Sequence, residues 1–177
     1  MRGDVAWQNG HYAFERPPAT GLRIARKLGT VTYRSAAEMR ARFGREPIIA
    51  SMRRSGAFAP EFSVEGYLEA QTERFASTFD ANCYLYLSRA MDRFDVGAHG
   101  GSAQVALSRS GLERALVIGV ESDMLFAIEE QRAIAQALGV SGAHTRFAPL
   151  PCVEGHDSFL VDIVRFGGKI RAFLERP

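Results

Sequence analysis

The sequence predicts an α/β fold in which a helical first half leads into a short parallel sheet, and three observations carry this. Residues 61–94 hold apolar positions at helical spacing among charged ones. Ala115-Leu116-Val117-Ile118-Gly119-Val120 is then a continuous apolar run of strand length, as required of a strand covered on both faces. A helix, a weaker strand and a further helix follow, the order that builds a right-handed parallel unit.

Through Pro18 the chain is rich in Gly, Pro and aromatic residues without either period, so an irregular segment is expected. Residues 20–29 place Leu22, Ala25 and Leu28 three apart with Arg23, Arg26 and Lys27 between them, predicting a short amphipathic helix that stops at Gly29. Ser35 followed by Glu38 is a capping-box pattern, in which each side chain accepts from the other residue's backbone N–H; it opens a helix to about Gly44. A loop through Gly56 and Pro60 comes next. Residues 61–78 set Phe62, Leu68 and Phe75 among Glu65, Glu69, Glu73 and Arg74, a helix with one charged face, and 79–94 continue it through Cys83, Leu87, Ala90, Met91 and Phe94. Beyond the strand at 115–120, residues 126–138 read as helix and 145–150 as strand. Residues 157–174 read as a closing helix with Phe159, Leu160, Ile163, Phe166, Ile170 and Phe173 on one face. The division expected is 1–105, an irregular leading segment with helices, and 106–177, an αβ part.

At 177 residues and 46% hydrophobic, the chain is long enough to bury a core. The formal net charge is +2 with basic residues scattered rather than striped, which argues for neither a nucleic-acid nor a membrane partner. Two cysteines, Cys83 and Cys152, without a CxxC exclude a disulfide framework and fit a reduced, cytoplasmic setting. The first residues lack the charged and apolar regions of an export signal, and no window approaches the roughly 18 apolar residues of a membrane span.

The chemistry concentrates in two segments, Gly119-Val120-Glu121-Ser122-Asp123 and Gly155-His156-Asp157, each placed where a strand gives way to a loop. In parallel sheets reactive groups collect at the carboxyl ends of strands. An acid and a histidine there can act together: the carboxylate holds the imidazole tautomer and the other nitrogen takes a proton from a serine. An aspartate after a strand also reads as a helix cap, and a histidine as a polar loop residue.

Three segments together, Asp80-Ala81-Asn82-Cys83-Tyr84-Leu85-Tyr86-Leu87, Val120-Glu121-Ser122-Asp123 and Gly155-His156-Asp157-Ser158-Phe159-Leu160, resemble the homoserine O-acetyltransferases of the α/β-hydrolase fold. Gly21-Leu22 through Arg26, Thr32-Tyr33 and Arg42-Phe43-Gly44 resemble that family's helical lid. The resemblance implies the C-terminal part of an α/β-hydrolase fold, with its last parallel strands and helices preceded by the lid. It implies Asp123 as the triad acid, His156 as the general base and Asp157 as the group that binds the acceptor's amino group. Arg26 and Tyr33, seven apart and near one face if the helix continues, match lid positions that line the substrate tunnel, with Arg26 gripping the acceptor's carboxylate. Arg26 reads equally as a solvated helix charge, and Tyr33 as lid packing.

By resemblance the function is acyl transfer from acyl-CoA, acetyl-CoA or succinyl-CoA, to the side-chain hydroxyl of homoserine in methionine biosynthesis. It proceeds through a serine acyl-enzyme with no bound cofactor and no metal. L-serine is the alternative acceptor. A hydrolase using the same acid and base, and a non-catalytic remnant, are the rivals. The family's lid helices commonly pair subunits, so a homodimer is expected. The nucleophile is not evident: no G-x-S-x-G elbow occurs, and Gly100-Gly101-Ser102-Ala103-Gln104 is preceded by no apolar strand. The resemblance begins almost at Met1, so the chain is expected to be the C-terminal half, lacking the nucleophile serine and inactive by itself, with an open apolar edge at the Leu116 strand that favours instability or association.

Overall fold

In the computed structural model, which describes residues 1–49 and 55–175, the chain forms two units. The first is Met1–Val31 with Met39–Arg93; the second is Thr32–Glu38 with Phe94–Pro177. The loop expected after Gly44 lies partly outside the described residues.

The first unit is helical, with α1 (Ala19–Thr32), the C-terminal part of α2 (Ala36–Phe43), α3 (Ser63–Thr78) and α4 (Ala81–Arg93). α1 runs past its expected stop, because a glycine inside a helix costs only about 1 kcal/mol and the Thr30 hydroxyl donates to the Arg26 carbonyl at 2.9 Å. Its buried face also differs from the expectation: Leu22 is fully buried, whereas Leu28 is 67% exposed. Steps of three residues turn about 300°, so two steps carry Leu28 about 120° away from Leu22. α3 opens with the Glu65 carboxylate accepting the backbone N–H groups of Phe62 and Glu61, at 2.9 Å each. Those two bonds, Phe62 first, hold the Glu65 carboxyl below its ordinary value. The helix expected to continue through residue 79 instead breaks at Phe79, and α4 restarts with Asp80 accepting from Cys83 N–H at 2.7 Å.

The leading segment is more ordered than its composition predicts. Val5–Gly10 forms a 3-10 turn kinked at Gln8 and Asn9, whose φ values of 46° and 55° lie in the left-handed region. Its anchors come from α4 and the residue before it. Trp7 Nε1 donates to Asn82 Oδ1 at 3.0 Å, Asn82 Nδ2 donates to the Gly10 carbonyl at 2.9 Å, and the Tyr12 hydroxyl donates to Asp80. Beneath these bonds Leu22, Ala76 and Ala81 make the core, with Tyr12, Phe75 and Tyr84 against them.

The second unit contains a 3-10 turn at Val96–His99, then α5 (Ala103–Ser108), β1 (Arg114–Val120), α6 (Ile128–Val140) and β2 (His144–Leu150). A 3-10 turn at Gly155–Asp157, α7 (Ser158–Val161) and α8 (Ile163–Leu174) complete it. β1 and β2 are parallel, in register from Arg114↔His144 to Val120↔Leu150. Gly119 lets α6 lie close to the sheet, since a Cβ there would meet Gln131 Cβ at 3.2 Å and Ile128 Cγ1 at 3.3 Å. Val120, Leu150 and Cys152 form the core, with Ile118 and Phe166 packed on it.

Three sequence expectations need correction here. β1 is not covered on both faces along its length: Ala115, Gly119 and Val120 are buried, while Leu116, Val117 and Ile118 are half-buried. Among the described residues the sheet has two strands, so each is an edge. α5 was not foreseen. The closing helix is interrupted at Asp162, whose φ of −95° and ψ of 59° are not helical. Its carboxylate accepts from Arg165 N–H at 3.2 Å and pairs with Arg165 Nε at 3.1 Å, so Asp162 ends one helix by capping the next. No helix among the described residues is long and apolar enough to cross a membrane.

Candidate active site

The parallel register brings the ends of β1 and β2 side by side, and the bond from Glu121 N–H to the Leu150 carbonyl extends the ladder one step at 3.0 Å. Both strands therefore release their loops at the same edge of the sheet. After β1 the chain turns tightly, with Asp123 N–H donating to the Val120 carbonyl at 3.2 Å. Asp123 Oδ1 then accepts from the N–H groups of Leu125 and Phe126, at 2.8 and 3.0 Å. Those two bonds fix the carboxylate and leave Oδ2 facing His156 Nδ1 at 3.0 Å. Asp123 is 10% exposed and His156 is 20% exposed, so the pair is shielded without being sealed.

The loop that carries His156 is tied on two sides. Ser122 Oγ donates to the Cys152 carbonyl at 2.6 Å and accepts from Gly155 N–H at 3.2 Å, which locks the acid loop to the histidine loop. On the other side, the Ser35 hydroxyl donates to the Val153 carbonyl and Asp157 N–H donates to the Tyr33 carbonyl at 3.3 Å. Gly155 has φ +77°, and a Cβ there would lie 2.8 Å from Ser35 N and 2.9 Å from Tyr33 O. Only glycine satisfies both the left-handed backbone and that close approach. Within the loop the Ser158 hydroxyl donates to the Gly155 carbonyl at 2.6 Å.

Aromatic rings enclose the imidazole: Phe126 edge-on with centroids 5.0 Å apart, Tyr33 tilted at 5.3 Å and Phe159 edge-on at 6.1 Å. The sequence-selected residues Asp123, His156, Asp157 and Tyr33 thus come together in one unit. Arg26 lies in the other unit, with its guanidinium 4.7 Å from the Phe75 ring centroid. The idea that Arg26 and Tyr33 share a continuing helix does not hold, because α1 ends at Thr32 and Tyr33 sits in the turn after it.

Several contributors escaped the sequence reading. Arg34 bridges Asp157 Oδ2 at 3.2 Å and Glu38 Oε1 at 3.0 Å, so the carboxylate expected to receive an amino group is already paired through one oxygen. The Glu38 N–H donates to Ser35 Oγ at 3.0 Å, the expected cap, while its carboxylate turns to Arg34. The adjacency of Arg34 to Tyr33 was the available signal for it. Ser122 stood inside a selected segment but carried no role until its two bonds were seen.

Ser102 is a helix cap. Its hydroxyl accepts from Val105 N–H at 3.2 Å at the start of α5, its backbone is extended at φ −157°, and a 3-10 turn rather than a strand precedes it. None of this is the strained strand-to-helix elbow of a nucleophile. Among the described residues, Asp123 is the hydrogen-bond partner of the His156 ring. Of groups that hold metals, Cys152, Glu154 and Asp162 gather within 4.8 Å of one another. Arg165 already supplies a positive charge there through its bond to Asp162. Burial, with help from Asp162, pushes the Cys152 thiol up and away from the thiolate a metal would need.

No family model matches the chain. It is 47% identical over 176 residues to a protein named serine O-succinyltransferase from Xylella fastidiosa, covering 99% of this chain and 48% of that one. A serine O-succinyltransferase from Frateuria aurantia is 48% identical over 175 residues, 98% of this chain and 48% of that one. The chain therefore spans about half the length of the curated relatives it matches. Among solved structures, homoserine O-acetyltransferase from Bacillus anthracis superposes with TM-score 0.83 at 24% identity, over 99% of this chain and 46% of that one. Esterase E22 superposes with TM-score 0.80 at 24% identity, over 99% and 47%. At that identity the likeness shows the fold, which is that of α/β-hydrolases.

Proposed function

The chain belongs to the homoserine O-acetyltransferase family of the α/β-hydrolase fold, and from that premise we propose that it serves acyl transfer from succinyl-CoA to the hydroxyl of L-serine. The observation that carries the choice of L-serine over the homoserine first expected is the identity of 47–48% to relatives named serine O-succinyltransferase. Pocket chemistry makes such a choice fine-grained, since one methylene changes binding by only about 1–3 kcal/mol.

In this reading His156 donates Nδ1–H to Asp123, which leaves Nε2 unprotonated. Nε2 takes the proton of the nucleophile serine, for which the described residues offer no elbow, as its oxygen attacks the thioester carbonyl, then gives that proton to the departing CoA sulfur. In the second half it takes a proton from the acceptor's hydroxyl, which attacks the acyl group, and returns the proton to the serine oxygen. Asp123 stays ionised and stabilises the imidazolium in both halves. Asp157 receives the acceptor's ammonium through Oδ1, its other oxygen being held by Arg34. Tyr33 walls the imidazole, and the grip of Arg26 on the acceptor's carboxylate rests on the family resemblance alone. A homodimer through the lid helices belongs to the same reading, and a monomer in sedimentation at micromolar concentration would remove it.

The test is thiol release from succinyl-CoA and acetyl-CoA with L-serine, L-homoserine or water as acceptor, with the product identified by mass. O-succinylserine as the dominant product supports the proposal. Faster transfer to homoserine returns the first expectation, thiol release independent of acceptor makes the protein a hydrolase, and no acyl adduct at any residue leaves a non-catalytic remnant.

A further inference from the structure

The first unit holds a second cleft, about 550 Å³, between the leading segment and α4. Its guanidinium side chains are Arg2 and Arg89, with His11 beside them, its aromatic walls are Trp7 and Tyr86, and none of its described lining residues is a carboxylate. Among the described residues Arg2 and Arg89 are exposed and make no ion pair or hydrogen bond, in contrast to Arg23 and Lys27 of the same unit, which pair with Glu73 and Glu69. Two guanidinium groups thus line one cleft without a carboxylate partner among the described residues. Like charges brought to one cleft favour an anion there.

The floor is rigid. Asn82 spends its side-chain amide on Trp7 Nε1 and the Gly10 carbonyl, and the lining residue Asn9 sits at φ 55°, in the left-handed region that asparagine enters more readily than most residues. Guanidinium forks match phosphate oxygens, and the face of Tyr86, 78% exposed, offers a stacking surface for a flat ring. Phosphate donors beside an open aromatic face are what a phosphorylated purine nucleotide requires.

We propose that this cleft binds the 3′-phosphorylated adenosine diphosphate end of a coenzyme A thioester. The proposal rests on the acyl-CoA reading above only for the identity of the nucleotide; the cleft's charge and aromatic lining stand without it.

Trp7 is the single tryptophan of the chain, so its fluorescence reports on this cleft directly. Titration with adenosine 3′,5′-bisphosphate is expected to give a saturable change in Trp7 emission, with inorganic phosphate competing weakly and adenosine more weakly still. Arg89→Ala and Arg2→Ala should each weaken the nucleotide about tenfold, equivalent to about 1.4 kcal/mol. Neither side chain has a partner to lose, so both variants should keep the wild-type circular dichroism and melting point. No saturable change, or an affinity untouched by both substitutions, overturns the proposal; so does phosphate alone binding as tightly as the bisphosphate, which would make this a plain phosphate site. Thiol release from succinyl-CoA separates the two readings. Acyl transfer with no nucleotide response defeats the cleft alone, and a nucleotide response without transfer defeats the proposed reaction alone.

Discussion

Two polar knots hold the two units, and they are tied for different ends. In the first unit Tyr12, Asp80 and Asn82 fasten the leading segment over a core in which Leu22 and Ala81 are wholly buried. In the second, Ser122, Gly155 and Ser35 fasten the His156 loop, and the residues they enclose are Asp123, His156 and three rings around the imidazole. Loosening the first should cost stability. Loosening the second should displace chemistry. The same kind of bond therefore has different consequences according to what lies beneath it.

The largest test of that contrast is Asp123→Asn. The amide oxygen can still accept from Leu125 and Phe126 N–H, but the imidazole tautomer is no longer enforced. If Asp123 acts as proposed, turnover in the acylating enzyme should fall about 10⁴-fold with the melting point nearly unchanged, by analogy with the acid of catalytic triads. A fall in stability matching the fall in rate would make Asp123 a structural cap instead.

Gly155→Ala comes next. A methyl group 2.8 Å from Ser35 N, on a backbone at φ +77°, should destabilise the second unit by roughly 3 kcal/mol, combining strain and overpacking. A urea midpoint close to wild type would show that the 33–35 segment moves freely, and the knot would then be no knot.

Tyr12→Phe removes the hydroxyl that bonds Asp80 and accepts from Asn82 N–H, and about 2 kcal/mol of stability should go with it. Its pH signature is specific. The Tyr12 bond, followed by that from Cys83 N–H, holds the Asp80 carboxyl below its ordinary 3.8. A lowered carboxyl contributes stability that is complete above 3.8 and is lost as pH falls through the depressed folded value. Burial, and then Asp80, raise the Tyr12 hydroxyl above 10.0, so that group contributes stability below 10.0 and loses it as pH rises through the raised value. Denaturation across pH should therefore show both limbs in the wild type, and in Tyr12→Phe a shallower acid limb and loss of the alkaline limb due to Tyr12.

Ser122→Ala is the smallest change and the sharpest comparison with Tyr12→Phe. It removes the bridge between the Cys152 carbonyl and Gly155 N–H, worth about 1 kcal/mol of stability. If the second knot positions chemistry, turnover should drop by more than that figure alone would predict. Equal effects of both variants on rate and melting point would erase the distinction between the two knots.

Where the sequence was legible, a local period or a short motif was the cause. β1 showed as an uninterrupted apolar run, α3 and α4 as charged and apolar alternation, and Asp123 and His156 as polar residues following strand-like stretches. The errors share one origin. Leu28 lies on the exposed side of α1, Asp162 interrupts the closing helix, and the leading segment is ordered by residues some seventy positions away. In each case distant or competing hydrogen bonds, or an angular drift accumulated over two steps, outweighed the local pattern.

By itself the sequence determined the α/β character, the strand that ends before Asp123, and the residue types able to act as acid and base. Local backbone preference and burial of apolar runs fix such features over a few residues. Tertiary structure alone decided that Oδ2 of Asp123 would face Nδ1 of His156 and that Arg34 would occupy one oxygen of Asp157. Those outcomes depend on which loops the parallel register places side by side, and register is a property of paired strands that no single segment contains.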